Sequence, residues 1–426
     1  MDSEASQRLR TRIARAGKLS LAMPVAFLFN LSIGLVNFAA LFYLKKRFGA
    51  TTATIGLFNA VWNGAYLAGC ILLRPILGRF RPRLAVTVAP LFVAVLVALV
   101  LLSPSLLLDF LFYGVAGFAV ALFWPPLMGW LTTGLEGQRL ASMTTWYNLS
   151  WSLANIGSSV IAGLLVESAV TLPFYVAMLL MATVAALTIV SLRLVPDGRR
   201  GHLTLLRTVE SPAPVVAGGH STLRAGTPYR FPAWVGLLTA YFFLGVLLSV
   251  FPLYAHYRLG ISEGLIGLVL VGRSLSMTIA FGVYSRFTFW HFKALPMALS
   301  QLLLAAVCMV MPMGRTPLFF LLLLPFAGMA LSLAYNSSLF HAVSGVADRS
   351  ARVAFNEAIL TAGMVLGSSL GGAVYQYLSI GALFHGYALL LVAVAAYQIW
   401  FGFRLRLSPD ISPAAPRPVT PRASGQ

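Results

Sequence analysis

The chain has 426 residues, 59% of them hydrophobic and only 10% charged, with a mean hydropathy of +0.86. Soluble domains carry roughly 25% charged residues, so an ordinary soluble fold is excluded and the bilayer is the solvent that fits. The net charge of +19 raises nucleic acid as a partner, but the basic residues cluster between apolar runs, so no nucleic-acid partner is expected.

The chain opens on MDSEASQRLRTRIARAGKLS, which is too polar for a cleaved signal peptide and reads as a cytoplasmic segment over 1–22. Twelve spans are predicted after it: 23–44, 55–76, 84–103, 106–132, 142–166, 170–194, 232–256, 263–285, 293–313, 316–343, 352–376 and 380–403. Each is near the ~20 residues a membrane helix needs, and the breaks fall at Gly, Pro or charged residues. Cys70 and Cys308 lie within apolar runs and read as small core residues, with no disulfide framework. The long polar stretch 196–231, rich in Pro, Gly and Arg, reads as a cytoplasmic linker between bundles at 23–195 and 232–405. The tail over 406–426 is Pro/Ser-rich and is expected to be disordered.

Orientation follows from the arginines and lysines. Five of the thirty, Lys45, Lys46, Arg47, Arg258 and Arg315, fall on one side, against about 24 on the other. The positive-inside rule then puts both termini in the cytoplasm, in what is expected to be a bacterial inner membrane, with the KKR at 45–47 as the main exception.

The chain also repeats itself. RFGATTATIGLFNAVWN at 47–63 and RLGISEGLIGLVLVGRS at 258–274 share R-x-G and then I-G-L without a gap. Residues 139–159 and 349–369 each begin with Arg and end in G-S-S at nearly the same offset. Two matches in the same order imply two parallel six-helix halves, with a substrate site near midplane between them. The repeat aligns Trp62 with Arg273 and Asn30 with Tyr241.

These residues resemble the major facilitator superfamily of secondary transporters over about 20–405. The family's loop signature G-x-x-x-D-R-x-G-R-R is similar to LGRFRPR at 77–83, with Gly78 in the acidic place and Arg81 in the place of the second glycine. GVYSRF at 282–287 keeps Gly282 and Arg286 and has Ser285 in the acidic place. GVAGFAVALFWPP at 114–126 resembles the family's glycine-rich fourth helix, without the arginine of many drug:proton antiporters. NIGSSVIAG at 155–163 resembles the antiporter motif, with Ser158 replacing its proline. The resemblance implies an all-α membrane protein of twelve helices in two pseudo-symmetric six-helix bundles. It also implies alternating access, and binding of a small-molecule substrate with no cofactor; a monomer is expected.

Of the eleven acidic residues, Glu357 alone is placed well inside a span; Asp109 and Glu167 fall near the outer ends of the fourth and fifth helices. A desolvated carboxyl holds its proton more tightly, which makes Glu357 the candidate proton-coupling residue. The structural alternative pairs it with Arg352 or Arg349. Arg273 lies about eleven residues into the eighth helix, near ~16 Å depth, where snorkelling is hard. It must face a cavity, pair with Glu357, or hold an anionic group of the substrate, and both of the last two roles stay open.

Amides and aromatics fill the rest of the candidate site. Asn30 and Asn37 share a face of the first helix. Asn59, Asn63 and Tyr66 share one of the second, and Asn148, Trp151 and Asn155 one of the fifth. Tyr241, Tyr335, Asn336 and Asn356 add to the set from the second half. Trp62, Trp124, Trp146 and Trp151 are placed at depth, away from interfacial belts. Such amides either bind substrate or bridge helices, at about 1 kcal/mol each. Gly363, Gly367 and Gly371 form a ladder for close helix approach.

The rival classes lack their signatures. No metalloprotease or hydrolase motif is present, and His256, His291, His341 and His385 are scattered, so no enzyme and no metal site are expected. One arginine and one glutamate do not make a channel filter. The expectation is a carrier of a small organic, amphipathic solute, with protons as the candidate coupling ion and efflux favoured. Uptake of an organic anion or sugar is the alternative, and a non-transporting receptor the remaining one.

Overall fold

The computed structural model describes residues 2–73, 82–132, 137–194, 227–284, 286–344 and 349–407. Within these, the side chains of 2–21, 129, 132, 137–145, 148, 191–194, 349–351 and 406–407 are set aside. The linker over 195–226, the tail from 408, Ser285 and most of the LGRFRPR loop, with Gly78 and Arg81, lie outside the described residues.

Twelve helices are long and apolar enough to cross a bilayer: Ala22–Phe48, Thr52–Leu72, Pro82–Leu102, Leu106–Met128, Leu149–Ser168, Leu172–Val190, Arg230–Leu259, Glu263–Tyr284, Ala294–Met313, Pro317–Val343, Arg352–Tyr377 and Ile380–Leu405. Only helices satisfy their own backbone in hydrocarbon, and among the described residues no strand occurs. The first helix starts well before its span, at Asp2. The fifth span, Leu149–Ser168, lies within an unbroken helix Gly137–Ser168 that also carries Trp146, half exposed.

Prolines mark the breaks. The fourth span stops at Val120, turns through 121–123 and resumes at Trp124, where Pro125 and Pro126 take up the first helical positions. The seventh breaks at Val250, just before Pro252. Hydroxyls cap the helices that start at one face. Thr51 Oγ1 accepts from Thr54 N at 3.2 Å, Ser105 Oγ from Leu108 N at 3.4 Å, and Thr316 Oγ1 from Phe319 N at 3.3 Å.

The packing repeats with a period of six spans. The second span packs on the fourth as the eighth does on the tenth. The third packs on the sixth as the ninth does on the twelfth, and the first on the fifth as the seventh does on the eleventh. Between the halves, the second packs on the eleventh and the eighth on the fifth.

The sequence repeat now has a physical reason at its glycines. Gly49 and Gly260, the glycines of R-x-G, take φ of 62° and 69°, the left-handed region that ends a helix without a Cβ clash. Gly56 and Gly267, the glycines of I-G-L, lie where a Cβ would collide with a backbone carbonyl of the other half, that of Ser368 and of Ser159. Those carbonyls belong to the two G-S-S segments. The two sequence repeats are thus the two sides of one helix crossing, made once at each seam. Gly117 and Gly328 repeat the same logic within each half, against the carbonyls of Trp62 and Arg273.

The glycine ladder of the eleventh span packs on the seventh. A Cβ on Gly363 would lie 2.5 Å from Leu238 O, one on Gly367 would collide with Phe242 O, and one on Gly371 would lie 2.6 Å from Val246 Cγ2. Its role is close approach within the second half.

Candidate functional site

An even number of spans brings both termini to one face. Toward the face opposite them the halves meet through charged groups, while nearer the other face Ser152 Oγ and Thr278 Oγ1 lie 2.6 Å apart across the same seam. Lys46 Nζ at the end of the first span lies 3.5 Å from Glu263 Oε1, and His256 Nε2 lies 3.7 Å from the same oxygen. Glu263 is buried, while Lys46 is partly exposed. The Phe42 ring meets His256 edge-on at 5.5 Å, Gly264 N donates to Glu167 Oε1 at 2.9 Å, and Thr52 N donates to Gln376 Oε1 at 3.2 Å.

This accounts for the KKR exception. Lys46 pairs with Glu263. Lys45 Nζ lies 6.0 Å over the Tyr257 ring. Arg47 donates to Tyr43 Oη, to Leu101 O at 2.8 Å and to Ser103 O. Sequence reading missed Glu263 because it stands at the first position of its span, where an acid reads as an interfacial residue. Its signal was the uncompensated KKR at the matching end of the first span.

Deeper in, the second half supplies an ionic wall. Glu357 Oε1 accepts from Tyr335 Oη at 2.9 Å. The Tyr335 ring lies 6.3 Å from Tyr241 and 5.6 Å from Phe281. Tyr241 stands within electrostatic range of both Glu357 and Arg273. From the first half, Tyr66, Cys70 and Tyr147 are within range of Glu357. Tyr335 touches this carboxyl, and tyrosines from both halves stand within electrostatic range of it.

Arg273 is 8% exposed. Nη2 donates to Ser274 Oγ at 2.6 Å and Nη1 to Met277 Sδ at 3.8 Å, while Nε, shut from solvent, has no acceptor. Glu357 and Arg273, considered as a pair from sequence, form no ion pair here. Nor does Glu357 pair with Arg352 among the described residues; its partner is a phenol. A buried guanidinium held by one hydroxyl and one thioether is undersupplied with negative charge.

The amides divide by half. Asn30 Nδ2 donates to Trp151 O and to Asn155 Oδ1, both at 2.9 Å. Asn37 Oδ1 accepts from Tyr113 Oη at 2.7 Å, and Asn63 Nδ2 donates to Asn59 O at 2.9 Å. The side chain of Asn148 lies outside the described residues. In the second half, Asn356 Oδ1 accepts from Ser338 Oγ at 2.5 Å, but its Nδ2 has no partner. Asn336 Nδ2, Ser332 Oγ and Ser337 Oγ are likewise buried without partners.

The aromatics of the first half pack on one another. Trp62 lies 4.6 Å from Tyr113, which stacks on Phe58 at 4.0 Å. Trp124 meets Phe29, Phe123 and Tyr147 at 5.7, 5.0 and 6.1 Å. Trp62 and Arg273 occupy equivalent places, each with its carbonyl against a glycine of the span two further on. The two side chains have different partners: an aromatic stack for Trp62, a hydroxyl and a sulfur for Arg273.

Among the described residues, no group of three or more His, Cys, Asp or Glu is gathered to hold a metal. Arg83, the last residue of the LGRFRPR loop motif, is buried and lies 5.1 Å over the Trp130 ring. Ser158, in place of the antiporter proline, donates to Asn155 O at 3.1 Å and packs against Gly34.

Comparison with known proteins agrees with this architecture. The family model described as Major Facilitator Superfamily matches residues 22–347. The nucleoside transporter NupG is similar in structure, with a TM-score of 0.69 at 13% identity over 90% of this chain and 98% of that one. A POT family transporter in complex with a thioalcohol-conjugated peptide gives 0.68 at 14% identity, over 91% and 96%. A bacterial homolog of the human lysosomal transporter Spinster, inward-facing and occupied, gives 0.63 at 13% identity, over 91% and 95%. No curated protein matches in sequence. With twelve spans in two repeating sets and a family model covering most of its length, the chain belongs to the Major Facilitator Superfamily and is a multi-pass membrane transporter of a small molecule, not an enzyme.

Proposed function

We propose that this transporter moves a small, amphipathic organic solute by alternating access, with Arg273 taking an anionic or strongly accepting group of the solute and Glu357 carrying the coupling proton. The observation that carries this reading is the state of Arg273: buried, short of acceptors, and not paired to the one carboxyl on the same wall. A solute oxygen would complete its fork. The aromatic clusters around Trp62 and Trp124 suit the apolar part of such a solute.

Glu357 suits a proton carrier because its described partner is a phenol, which serves the acid and the carboxylate alike. The division is then two bundles at 23–195 and 232–405 joined by a cytoplasmic linker. Both termini lie on the cytoplasmic side of a bacterial plasma membrane, and the protein acts as a monomer. We favour proton-driven export. Uptake of an organic anion is the second reading, which the acceptor-poor guanidinium also supports.

The test is flux in proteoliposomes. Candidate amphipathic anions, neutral aromatics and sugars are presented under an imposed pH gradient. Saturable flux that follows the gradient, with proton movement abolished in Glu357→Gln, is the expected result. Gradient-independent flux, or proton movement unchanged in that variant, overturns the coupling role.

A further inference from the structure

Asp109 is a buried acid that neither the seams nor the central wall use. It stands in the first turn of the helix Leu106–Val120, toward the face opposite the termini, and is 0% exposed. Both of its carboxyl oxygens are shut from solvent and have no hydrogen-bond partner. A helix N-terminus favours an anion. The donors around this one are already spent, however. Leu108 N donates to Ser105 Oγ at 3.4 Å, and Asp109 N to Ser105 O at 3.1 Å. Ser103 Oγ, the neighbouring hydroxyl, donates to the same Ser105 O at 2.8 Å.

A cation stands beside this turn and is spent elsewhere too. Arg47, at the end of the first span, donates to Leu101 O at 2.8 Å, to Ser103 O and to Tyr43 Oη, all neutral acceptors. Ser103 thus holds the guanidinium on its carbonyl and, through its hydroxyl, shares the acceptor of Asp109 N. Arg47 also stands within electrostatic range of Asp109. An arginine so placed would turn to an ionised carboxylate that has no donor, because a charge-assisted pair is stronger than a bond to a carbonyl. Three neutral oxygens on Arg47 and none from Asp109 fit an uncharged acid. A carboxyl without water or a donor is held in its neutral form.

The packed elements offer this acid no other charge. Tyr43 of the first span and Tyr175 of the sixth are the other titratable groups near the turn. Tyr113, one helical turn on, donates to Asn37. Lys45 and Lys46 are turned to Tyr257 and Glu263. The second span, which packs on the fourth, has no charged residue, and the third has only Arg83, at its far end.

We propose that Asp109 is a second proton-binding site, apart from Glu357, and that its proton decides the partner of Arg47: the carbonyls of 101 and 103 while the acid is neutral, the carboxylate once it is ionised. The exchange acts on the last turn of the first span, where the adjacent Lys46 reaches Glu263 of the other half. Proton loss at Asp109 therefore bears on the contact between the halves. The site does not depend on the coupling role given to Glu357.

Infrared difference spectroscopy of the purified full chain in lipid tests it, stepped from about pH 7 upward, where exposed carboxyls are already ionised. Glu357→Gln is the starting protein, which silences the central carboxyl. It is expected to show the carbonyl stretch of a protonated carboxylic acid, lost as pH rises. Adding Asp109→Asn is expected to remove that band. Adding Arg47→Gln is expected to make it persist at least about one pH unit higher, because the cation that favours the carboxylate is gone. A merely structural acid would give no such shift. Should Asp109→Asn fail to fold, the shift with Arg47→Gln carries the test. The proposal is overturned by no such band in Glu357→Gln, by a band that survives Asp109→Asn, or by the same pH dependence with and without Arg47.

Discussion

The two halves solve the same packing problem and leave different remainders. In the first half, Asn30, Asn37 and Asn63 bond across or along helices, and Trp62 lies against Tyr113. In the second half, Arg273, Asn336 and Asn356 each keep a buried nitrogen without an acceptor. An unmade buried hydrogen bond is destabilising by about 1–3 kcal/mol, and more for a charged group. The contrast is not absolute, since Asp109 in the first half keeps both carboxylate oxygens buried without a partner. On the proposed reading, this difference puts the binding side in the second half and the supporting side in the first.

That comparison breaks most sharply at Arg273. Arg273→Ala is expected to reduce transport at least about a hundredfold, as two charge-assisted contacts to the solute would be lost, while the protein still purifies as a folded species. Flux measured beside a melting curve decides it, and near-wild-type flux would remove Arg273 from the site.

Asn336→Ala probes the same wall with a neutral group. The expected outcome is a KM raised about tenfold with little change in Tm, because no described protein bond to Nδ2 is lost. A lower Tm at unchanged KM would instead make Asn336 a structural residue. Asn30→Ala is the converse. Removing its two bonds to the fifth span is expected to lower stability by about 1 kcal/mol and to leave KM unchanged. A raised KM there would return the first-half amides to the binding surface.

The repeat glycines were legible in the sequence, and the structure supplies their reason. Gly49 and Gly260 answer a local backbone demand, a positive φ at a helix end, which leaves its mark on residue type. Gly56 and Gly267 answer a steric demand at a crossing, and glycine alone meets it. Glu263 was not legible from its own neighbourhood, and only the uncompensated KKR of the first span hinted at it. Its meaning depends on Lys46, more than two hundred residues away, and nothing in a window around either residue encodes the pair. The amides were legible as inward-facing, yet their use was not, since an asparagine that bridges helices and one that awaits a ligand share the same spacing.

The sequence by itself determined the solvent, the number of crossings, the repeat and the family resemblance. These rest on hydropathy, on span length and on glycine's lack of a Cβ, all properties of single residues or short windows. Tertiary structure decided the partners: Tyr335 for Glu357, no carboxylate for Arg273, Glu263 for Lys46. A charge's role in a low-dielectric interior is set by which atoms lie within a few ångströms, and only the folded chain brings those atoms together.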